Sequence, residues 1–367
     1  MRTACHPARP SDRHRPRRSP RRLAVGVALG GALLLAACDD GGSDDGGADG
    51  GPDPTTATSA PTGDSTGTTS ATGTGALAPD APTQAIALPG DQVFPEGVAY
   101  DEVSGAFFVS SSEDGTIYRA GLGATEAGEY LPAGADGRTA ALGMAVDAQR
   151  RRLWIAGGAS QTVFAYDLDT DELLAALPVP DGGDASLVND VTVTDDGDAY
   201  VTNSGLPVIY RASITDDGSA DLEVWLDHTD TAIPADTGIL LNGIVATGDG
   251  HLLTVHTATQ QLYRIDLATK DVVAVDTGGE PVGGDGLAID GTTVFGVSPT
   301  SVIRTELADD FASGEVVGET TDEAFAFATT IALVPDGRML VVNAQFTARQ
   351  DPVLPFTVLD LARTPAG

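Results

Sequence analysis

Short apolar runs separated by turns fill residues 83–367, and one opening pattern recurs six times among them. Each opening is a variable residue, usually followed by glycine, and it leads into a strand-like run. Successive openings lie 43 to 53 residues apart. A spacing of this size is typical of stacked supersecondary units. The six opening pairs are Glu96-Gly97, Leu142-Gly143, Asn189-Asp190, Asn242-Gly243, Asp285-Gly286 and Thr329-Thr330.

Each opening pair begins a repeat of short predicted strands. Turns such as Ser104-Gly105 and Asp249-Gly250 follow the first strand, and their glycines supply the positive φ of a tight hairpin. Second strands such as Ala106–Val109 and Leu252–Val255 consist of the apolar, aromatic and β-branched residues that strands prefer. Because helical periodicity is weak, the pattern predicts an all-β domain over residues 83–367.

The strand count predicts how this domain closes. The sixth repeat ends after its third strand, Phe356–Leu359, whereas Ala85–Leu88 precedes the first repeat and belongs to none. A β-propeller seals its ring with such a spare strand. We therefore predict a six-bladed β-propeller with four antiparallel strands per blade and a last blade closed by the N-terminal strand. A β-helix or a sandwich would leave the spare strand unexplained.

The first 37 residues have the three parts of an export signal. Residues 1–22 carry eight arginines and one acid, residues 23–37 are apolar but too short to span a membrane, and a lipobox ends at Cys38. We predict cleavage before Cys38, acylation of its thiol, and a lipid anchor in the cell membrane that leaves the protein on the extracytoplasmic side. The export route, general or twin-arginine, stays open because Arg21-Arg22 lacks a strong flanking match.

Residues 38–82 contain almost nothing apolar, so we predict a disordered tether of Asp, Gly, Ser, Thr, Pro and Ala. Loss of residues 1–37 removes eight of the 20 Lys and Arg and one of the 53 Asp and Glu, which changes the net charge from −33 to −40. This charge argues against nucleic acid as a partner and favours a soluble surface. Cys5 leaves with the signal, so we expect no disulfide, and we expect a monomer.

In the predicted propeller, the variable residue of each opening pair has a defined place relative to the central channel. The first strand of a blade runs along the central channel, so the residue that opens it lies at one mouth of that channel. Carboxylate and amide oxygens at this mouth suit a divalent cation, Ca²⁺, Mg²⁺ or Mn²⁺, better than copper. The alternative is that these side chains only cap turns. The four candidate ligands are Glu96, Asn189, Asn242 and Asp285.

Each second strand is antiparallel to the first, so its end returns to the same mouth and adds polar side chains there. We predict that a small-molecule substrate is contacted by Asn189 and by the strand-end residues Ser111, Asn203 and Asn343. His256, another strand-end residue, is a candidate proton donor, although its position is explained more simply by a histidine hydrogen-bonded to a neighbour.

The ordered set of Glu96-Gly97, Asn189-Asp190, Asn242-Gly243 and Asp285-Gly286 resembles the regucalcin/gluconolactonase family of six-bladed propellers. The resemblance covers roughly residue 84 to the C-terminus. It implies that Glu96, Asn242 and Asp285 hold a divalent cation, that Asn189 lines the same site, and that Asp285 is the general base in lactone hydrolysis.

One departure from that family changes the expected substrate. Sugar-lactone members commonly carry an arginine two residues before the third-blade asparagine, and Leu187 occupies that position here. A hydrophobic lactone or an ester is therefore as compatible with the sequence as an aldonolactone. A second interpretation is a non-catalytic propeller that binds a ligand and carries a structural metal at the channel mouth.

Overall fold

The computed structural model describes residues 83–180 and 182–363, and it arranges 24 strands into six antiparallel sheets of four strands each. The predicted signal peptide, Cys38 and tether lie outside the described residues. Between residues 83 and 363, with Asp181 left aside, there is no α-helix, and no helix there has the length and apolarity to cross a bilayer. Two 3-10 turns occur, Ala135–Gly137 and Phe346–Ala348.

The sheets follow one another in chain order and form the six blades, as the sequence predicts. Blade 1 contains β2 (Pro95–Asp101), β3 (Ala106–Ser111), β4 (Ile117–Gly121) and β5 (Gly128–Leu131). Blade 2 contains β6 (Met144–Asp147), β7 (Arg152–Ala156), β8 (Thr162–Asp167) and β9 (Leu173–Pro178). Blade 3 contains β10 (Val188–Val193), β11 (Ala199–Asn203), β12 (Val208–Ile214) and β13 (Ala220–Asp227).

The remaining blades repeat this arrangement. Blade 4 contains β14 (Leu241–Ala246), β15 (His251–His256), β16 (Gln261–Asp266) and β17 (Val272–Ala274). Blade 5 contains β18 (Leu287–Asp290), β19 (Thr293–Ser298), β20 (Ser301–Leu307) and β21 (Gly314–Thr320). Blade 6 contains β22 (Ala328–Val334), β23 (Arg338–Asn343), β24 (Phe356–Ala362) and the N-terminal strand β1 (Gln84–Leu88).

Strand β1 closes the ring, and this confirms the prediction for the spare strand. It pairs antiparallel with β24, from Gln84 opposite Asp360 to Leu88 opposite Phe356. Ile86 and Leu88 are buried in the apolar cluster between blades 1 and 6. The first and last parts of the described chain are thus joined by backbone hydrogen bonds and by core packing.

Blade-to-blade packing explains why the second strands read as continuous apolar runs. Every residue of β3 is buried, because both faces of a blade contact a neighbouring blade. The hairpins that join the first and second strands turn at glycines with positive φ, as predicted, including Gly105 at 69° and Gly250 at 100°.

The opening pairs have a structural role that the sequence pattern does not show. In blades 1, 3, 4 and 6 the pairing between the first two strands shifts register at the opening pair, which leaves these residues outside the ladder of their own blade. Their carbonyl groups accept hydrogen bonds from neighbouring blades. Gly143 N–H donates to the carbonyl of Asn189 at 2.9 Å, and Gly286 N–H donates to that of Thr329 at 2.9 Å.

Hydroxyl groups complete the ring where no direct backbone bond forms. Ser110 Oγ accepts from Gly97 N–H and donates to the Leu142 carbonyl, each at 2.7 Å. Thr202 links Asp190 to Asn242, and Thr329 Oγ1 donates to the Glu96 carbonyl at 2.8 Å. With Gly243 N–H donating to the Asp285 carbonyl at 3.2 Å, hydrogen bonds join all six blades around the channel mouth.

Candidate metal centre at the channel mouth

The hydrogen-bonded ring fixes where the four candidate ligands lie. Glu96, Asn189 and Asn242 are buried, and Asp285, two residues before β18, is half-buried. The Asn242 side chain and the Gly286 backbone lie close enough to the Asp285 carboxylate to favour its charged form and so lower its pKa. The structure therefore places both Asn242 and Glu96 within electrostatic range of Asp285.

Three carboxylates at this mouth have raised pKa values. Burial is the main cause at each, and it raises the pKa of Asp285 to about 8 and that of Asp190 to about 7. Burial also raises the pKa of Glu96 well above its usual range, and the charges of Asp285 and Asp190 add to this effect. Burial and mutual repulsion therefore disfavour simultaneous ionisation of the three carboxylates, and a bound cation would relieve that repulsion.

Within residues 83–180 and 182–363, three buried oxygen atoms of the candidate ligands have no hydrogen-bond partner: Glu96 Oε2, Asn189 Oδ1 and Asp285 Oδ1. Buried polar atoms are almost always satisfied, so a set of unpaired acceptors at one place points to a missing positive partner. Two carboxylates and an amide oxygen are ligands that Ca²⁺, Mg²⁺ and Mn²⁺ prefer. The residues present therefore fit a hard divalent cation.

The neighbours of Asn189 orient its amide. Its Nδ2 donates to Ser204 Oγ at 2.7 Å, and that hydroxyl donates to the Leu241 carbonyl at 2.6 Å. The amide nitrogen is thereby tied to the wall of blade 3, which leaves the amide oxygen as the unpaired atom. The fit to a cation depends on such amide oxygens, because no group of three or more His, Cys, Asp or Glu side chains in the described residues could hold a metal ion.

The three strand-end residues predicted to contact substrate are buried and bonded within the protein. Asn203 Oδ1 accepts from three backbone N–H groups, and its Nδ2 donates to Ser186 Oγ and to the Tyr210 hydroxyl. Asn343 Nδ2 donates to the Ala324 carbonyl at 2.8 Å, and Ser111 Oγ donates to the Val93 carbonyl at 2.9 Å. These side chains hold loops at the mouth, and a substrate contact by any of them stays a prediction.

His256 is buried at the end of β15. Its Nδ1 accepts from Thr259 N–H at 3.3 Å, whereas its Nε2 finds no hydrogen-bond partner among the residues that the structure describes. Burial lowers its pKa, so the ring is neutral at pH 7. In the described part of the chain the structure gives His256 no hydrogen bond or ion pair to Asp285. Its role as a proton donor stays a prediction.

Asp190 is the residue at this site that the sequence reasoning missed. It occupies the glycine position of the third opening pair, and its carboxylate accepts from Val191 N–H at 2.9 Å and from Ile244 N–H at 3.2 Å. Gly143 makes room for it, since a Cβ there would lie 2.1 Å from Asp190 Oδ1. The available signal was the replacement of glycine by aspartate in one repeat.

Comparison with known proteins gives a likeness at the level of fold. No family model and no curated protein matches the chain. Among solved structures, a regucalcin from Agrobacterium tumefaciens, described as a calcium-binding protein, is 16% identical over 75% of this chain and 94% of its own, with a TM-score of 0.50. Virginiamycin B lyase from Staphylococcus aureus is 12% identical over 77% of this chain and 99% of its own, also with a TM-score of 0.50.

A protein assigned as a gluconolactonase is 14% identical over 76% of this chain and 92% of its own, with a TM-score of 0.51. Identities this low carry the architecture and not the chemistry. The chain is therefore similar in fold to propellers of the regucalcin, gluconolactonase and virginiamycin B lyase types.

Proposed function

We propose that this protein is a divalent-cation-dependent hydrolase of lactones or esters that acts at the channel mouth. The observation that carries the proposal is the set of unpaired buried oxygens on Glu96, Asn189 and Asp285 beside carboxylates of raised pKa. The likeness to structures described as a calcium-binding regucalcin and a gluconolactonase supports the same chemistry.

Glu96, Asn189, Asn242 and Asp285 would hold the cation, which when bound would supply Lewis-acid polarisation of the scissile carbonyl. Asp285 is the proposed general base. The Asn242 side chain and the Gly286 backbone beside its carboxylate favour the ionised form that acts as a base. It would take a proton from the attacking water as the water oxygen bonds to the carbonyl carbon, and would return that proton to the alkoxide released when the C–O bond breaks.

The mouth face favours an apolar substrate. The loop between β23 and β24 exposes Val353 and Leu354, which are 74% and 50% exposed, and Ile239 before β14 is 46% exposed. All three lie on the mouth face because β23 ends there and β14 and β24 begin there. Together with Leu187 in the place of an arginine, they favour a hydrophobic lactone or an ester over a polyhydroxylated one.

A non-catalytic ligand-binding propeller is the second candidate. It is favoured by the bonding of Ser111, Asn203 and Asn343 within the protein and by the lack of a described contact between His256 and Asp285. This candidate keeps the cation as a structural element and predicts ligand affinity without turnover.

Hydrolysis of a panel of aliphatic lactones and esters, measured with Ca²⁺ or Mn²⁺ and again with EDTA, tests the proposal. We expect turnover that EDTA abolishes and that Asp285→Asn reduces at least a hundredfold, an order of magnitude typical for loss of a general base. Leu142→Ile, at the same ring position in blade 2, should leave the metal response intact. Turnover that persists in EDTA would contradict the metal dependence, and binding of panel compounds without turnover would favour the second candidate.

We also propose, from the sequence alone, that the protein is exported and held at the outer side of the cell membrane by lipid on Cys38.

A further inference from the structure

The loop between β23 and β24 carries an exposed cation on the mouth face. The strands of a blade alternate in direction, so the mouth-face loops are those that lead into each first strand and those that join each second strand to its third. Among the described residues of these loops, Arg138 and Arg349 are the only Lys or Arg, and Arg138 is fully buried. The Arg349 side chain is 45% exposed, and the loops around it are rich in Asp and Glu.

Two aromatic rings hold the Arg349 guanidinium. Its Cζ lies 4.6 Å from the ring centroid of Phe94 and 4.9 Å from that of Phe346. Phe94 is buried and packs edge-on against Phe356, with 4.9 Å between ring centroids, so it is fixed in the core between blades 1 and 6. A guanidinium that stacks on fixed rings is already oriented before a ligand arrives.

The loop that carries Arg349 is fastened by a buried glutamine. Gln345 Oε1 accepts from Val353 N–H, and its Nε2 donates to the Val353 carbonyl, each at 2.8 Å. Arg349 Nη1 donates to Glu113 Oε2 at 2.8 Å, and the described residues give its Nε and Nη2 no hydrogen bond. These two nitrogens form one edge of the planar group. Such an edge matches the two oxygens of a carboxylate.

The surroundings of Arg349 favour a carboxylate on an apolar body. Acidic neighbours such as Glu113 repel a doubly charged phosphate more strongly than a singly charged carboxylate. Val353 and Leu354, on the same loop, are 74% and 50% exposed and offer an apolar surface. Phe94 precedes Glu96 by two residues, which is about 7 Å of extended chain. The guanidinium therefore lies on the side of the mouth that carries this candidate cation ligand.

We propose that Arg349 binds a carboxylate of the substrate through Nε and Nη2, so that the substrate is a lactone or ester whose apolar body also carries a carboxylate. Arg349 is then a positioning residue, and Val353 and Leu354 cover the apolar body. The identity of the ligand as a substrate rests on the proposed hydrolysis at the mouth, whereas binding of the carboxylate does not.

Calorimetric titration with hexanoate and with 1-hexanol tests the carboxylate site. EDTA is present, so that no divalent cation at the mouth can hold the carboxylate. We expect hexanoate to bind at least fivefold more tightly than 1-hexanol, and Arg349→Gln to bring the two affinities within twofold of each other. Arg211→Gln is the matched control, because Arg211 is 40% exposed and pairs with Glu223 at 2.7 Å on a third strand. It should leave both affinities unchanged.

Glu113→Gln separates a carboxylate site from a purely structural ion pair. An ion pair that only joins two loops needs both partners, so Glu113→Gln and Arg349→Gln would then act alike. A ligand carboxylate competes with Glu113 for the same guanidinium, so we expect Glu113→Gln to tighten hexanoate binding at least twofold. This variant also decides the matter if Arg349→Gln fails to fold. Equal affinity of the two probes for the wild type, or weaker hexanoate binding in Glu113→Gln, overturns the inference.

Kinetics with monomethyl adipate and dimethyl adipate, in the presence of Mn²⁺, test the substrate class. Both contain the same methyl ester, and only the first carries a carboxylate. We expect Arg349→Gln to raise KM for the monoester at least fivefold with kcat within twofold, and to leave both constants for the diester unchanged. Hydrolysis of both esters with an unchanged KM overturns the inference and leaves the hydrolase proposal standing. Hexanoate binding as expected without hydrolysis of either ester supports the carboxylate site and contradicts the hydrolase proposal.

Discussion

At the residue scale, the two positions of each opening pair have different structural roles. The second position donates a backbone N–H where neighbouring blades meet. Glycine is favoured there because space is short: a Cβ at Gly97 would lie 2.2 Å from the Leu142 carbonyl oxygen. The first position provides a carbonyl to the ring and a side chain to the mouth. The recurrent glycine is therefore explained by the close contact between neighbouring blades. The variable first residue is the position that supplies the candidate cation ligands.

Gly143→Ala tests this division. The new Cβ would collide with Asp190, and crowding of this kind in a packed site costs about 1–3 kcal/mol. We expect a lower free energy of unfolding in urea for this variant. Gly121→Ala is the matched control, because a Cβ at Gly121 meets nothing within 4 Å. Equal stability of the two variants would mean that the glycine is not required by the close approach.

The raised pKa of Asp285 predicts a pH-dependent response to cations. Its pKa rises from 3.8 to about 8 through burial and the charge of Asp190. Between these values the folded protein without a cation binds a proton that the unfolded chain has released, so its stability falls as the pH rises. A divalent cation replaces that proton. The increase in melting temperature caused by 1 mM Ca²⁺, about a saturating amount for a sensor-type site, should therefore be larger at pH 8 than at pH 5.

Thermal unfolding at several pH values, with Ca²⁺ and with EDTA, measures this response. In Asp285→Asn the pH dependence of the Ca²⁺ effect should flatten, because the group that exchanges its proton for the cation is gone. An equal Ca²⁺ effect at pH 5 and pH 8 in the wild type would contradict the coupling.

The sequence located Glu96, Asn189, Asn242 and Asp285 because the repeat aligns them at one position of every blade. It did not reveal Asp190, since the pattern assigned that column to glycine. The hydrogen bonds from three backbone N–H groups to Asn203 were also not predictable, because they depend on a loop conformation that residue spacing does not specify.

Several aspartates form local hydrogen bonds in turns. Asp167 Oδ1 accepts from the N–H groups of Asp169 and Thr170, and Asp266 Oδ1 accepts in the same way from Ala268 and Thr269. Such bonds are the usual reason for aspartate in turns. The acidity of the chain is therefore partly a consequence of its many hairpins.

At the element scale, β1 is the strand on which closure depends. Ile86 is fully buried between blades 1 and 6, and Ala85 beside it is exposed. Ile86→Ala should lower the free energy of unfolding by about 2–5 kcal/mol, the usual range for truncation of a buried isoleucine. Deletion of residues 83–88 should cost more, because β24 also loses its backbone partners.

Urea unfolding of these variants, with Ala85→Ser as the surface control, measures the contribution of β1. Unchanged stability after deletion of residues 83–88 would show that blade 6 is complete without this strand.

The strands themselves were predictable because each repeat has the same order of turn and apolar run, and the count gave the missing partner of β24. The bulges at the opening pairs were not predictable. At these bulges the opening pairs form hydrogen bonds to neighbouring blades, and such contacts between blades are tertiary interactions that a local sequence pattern does not show.

At the scale of the whole molecule, the mouth and the first described residues lie on opposite faces. Gln84 pairs with Asp360 near the end of β24, whereas the mouth lies at the end of β24 that begins with Phe356. The chain therefore reaches β1 from the face opposite the proposed metal centre.

Cys38→Ala tests the anchor. Without the thiol there is no acylation, so we expect the variant to stay uncleaved or to be released from the membrane fraction. Fractionation followed by mass determination of the protein distinguishes these outcomes from the wild type. Membrane retention at normal mature mass in the variant would contradict the lipoprotein proposal.

The most direct test of the central claim is an anomalous-scattering map from a crystal of the propeller grown with Mn²⁺. The account predicts a peak at the channel mouth within ligand distance of Glu96 Oε2, Asn189 Oδ1 and Asp285 Oδ1, and loss of that peak in Asp285→Asn. A map with no peak at these oxygens, from crystals that contain Mn²⁺ at saturating concentration, would contradict the claim that the mouth is a cation site.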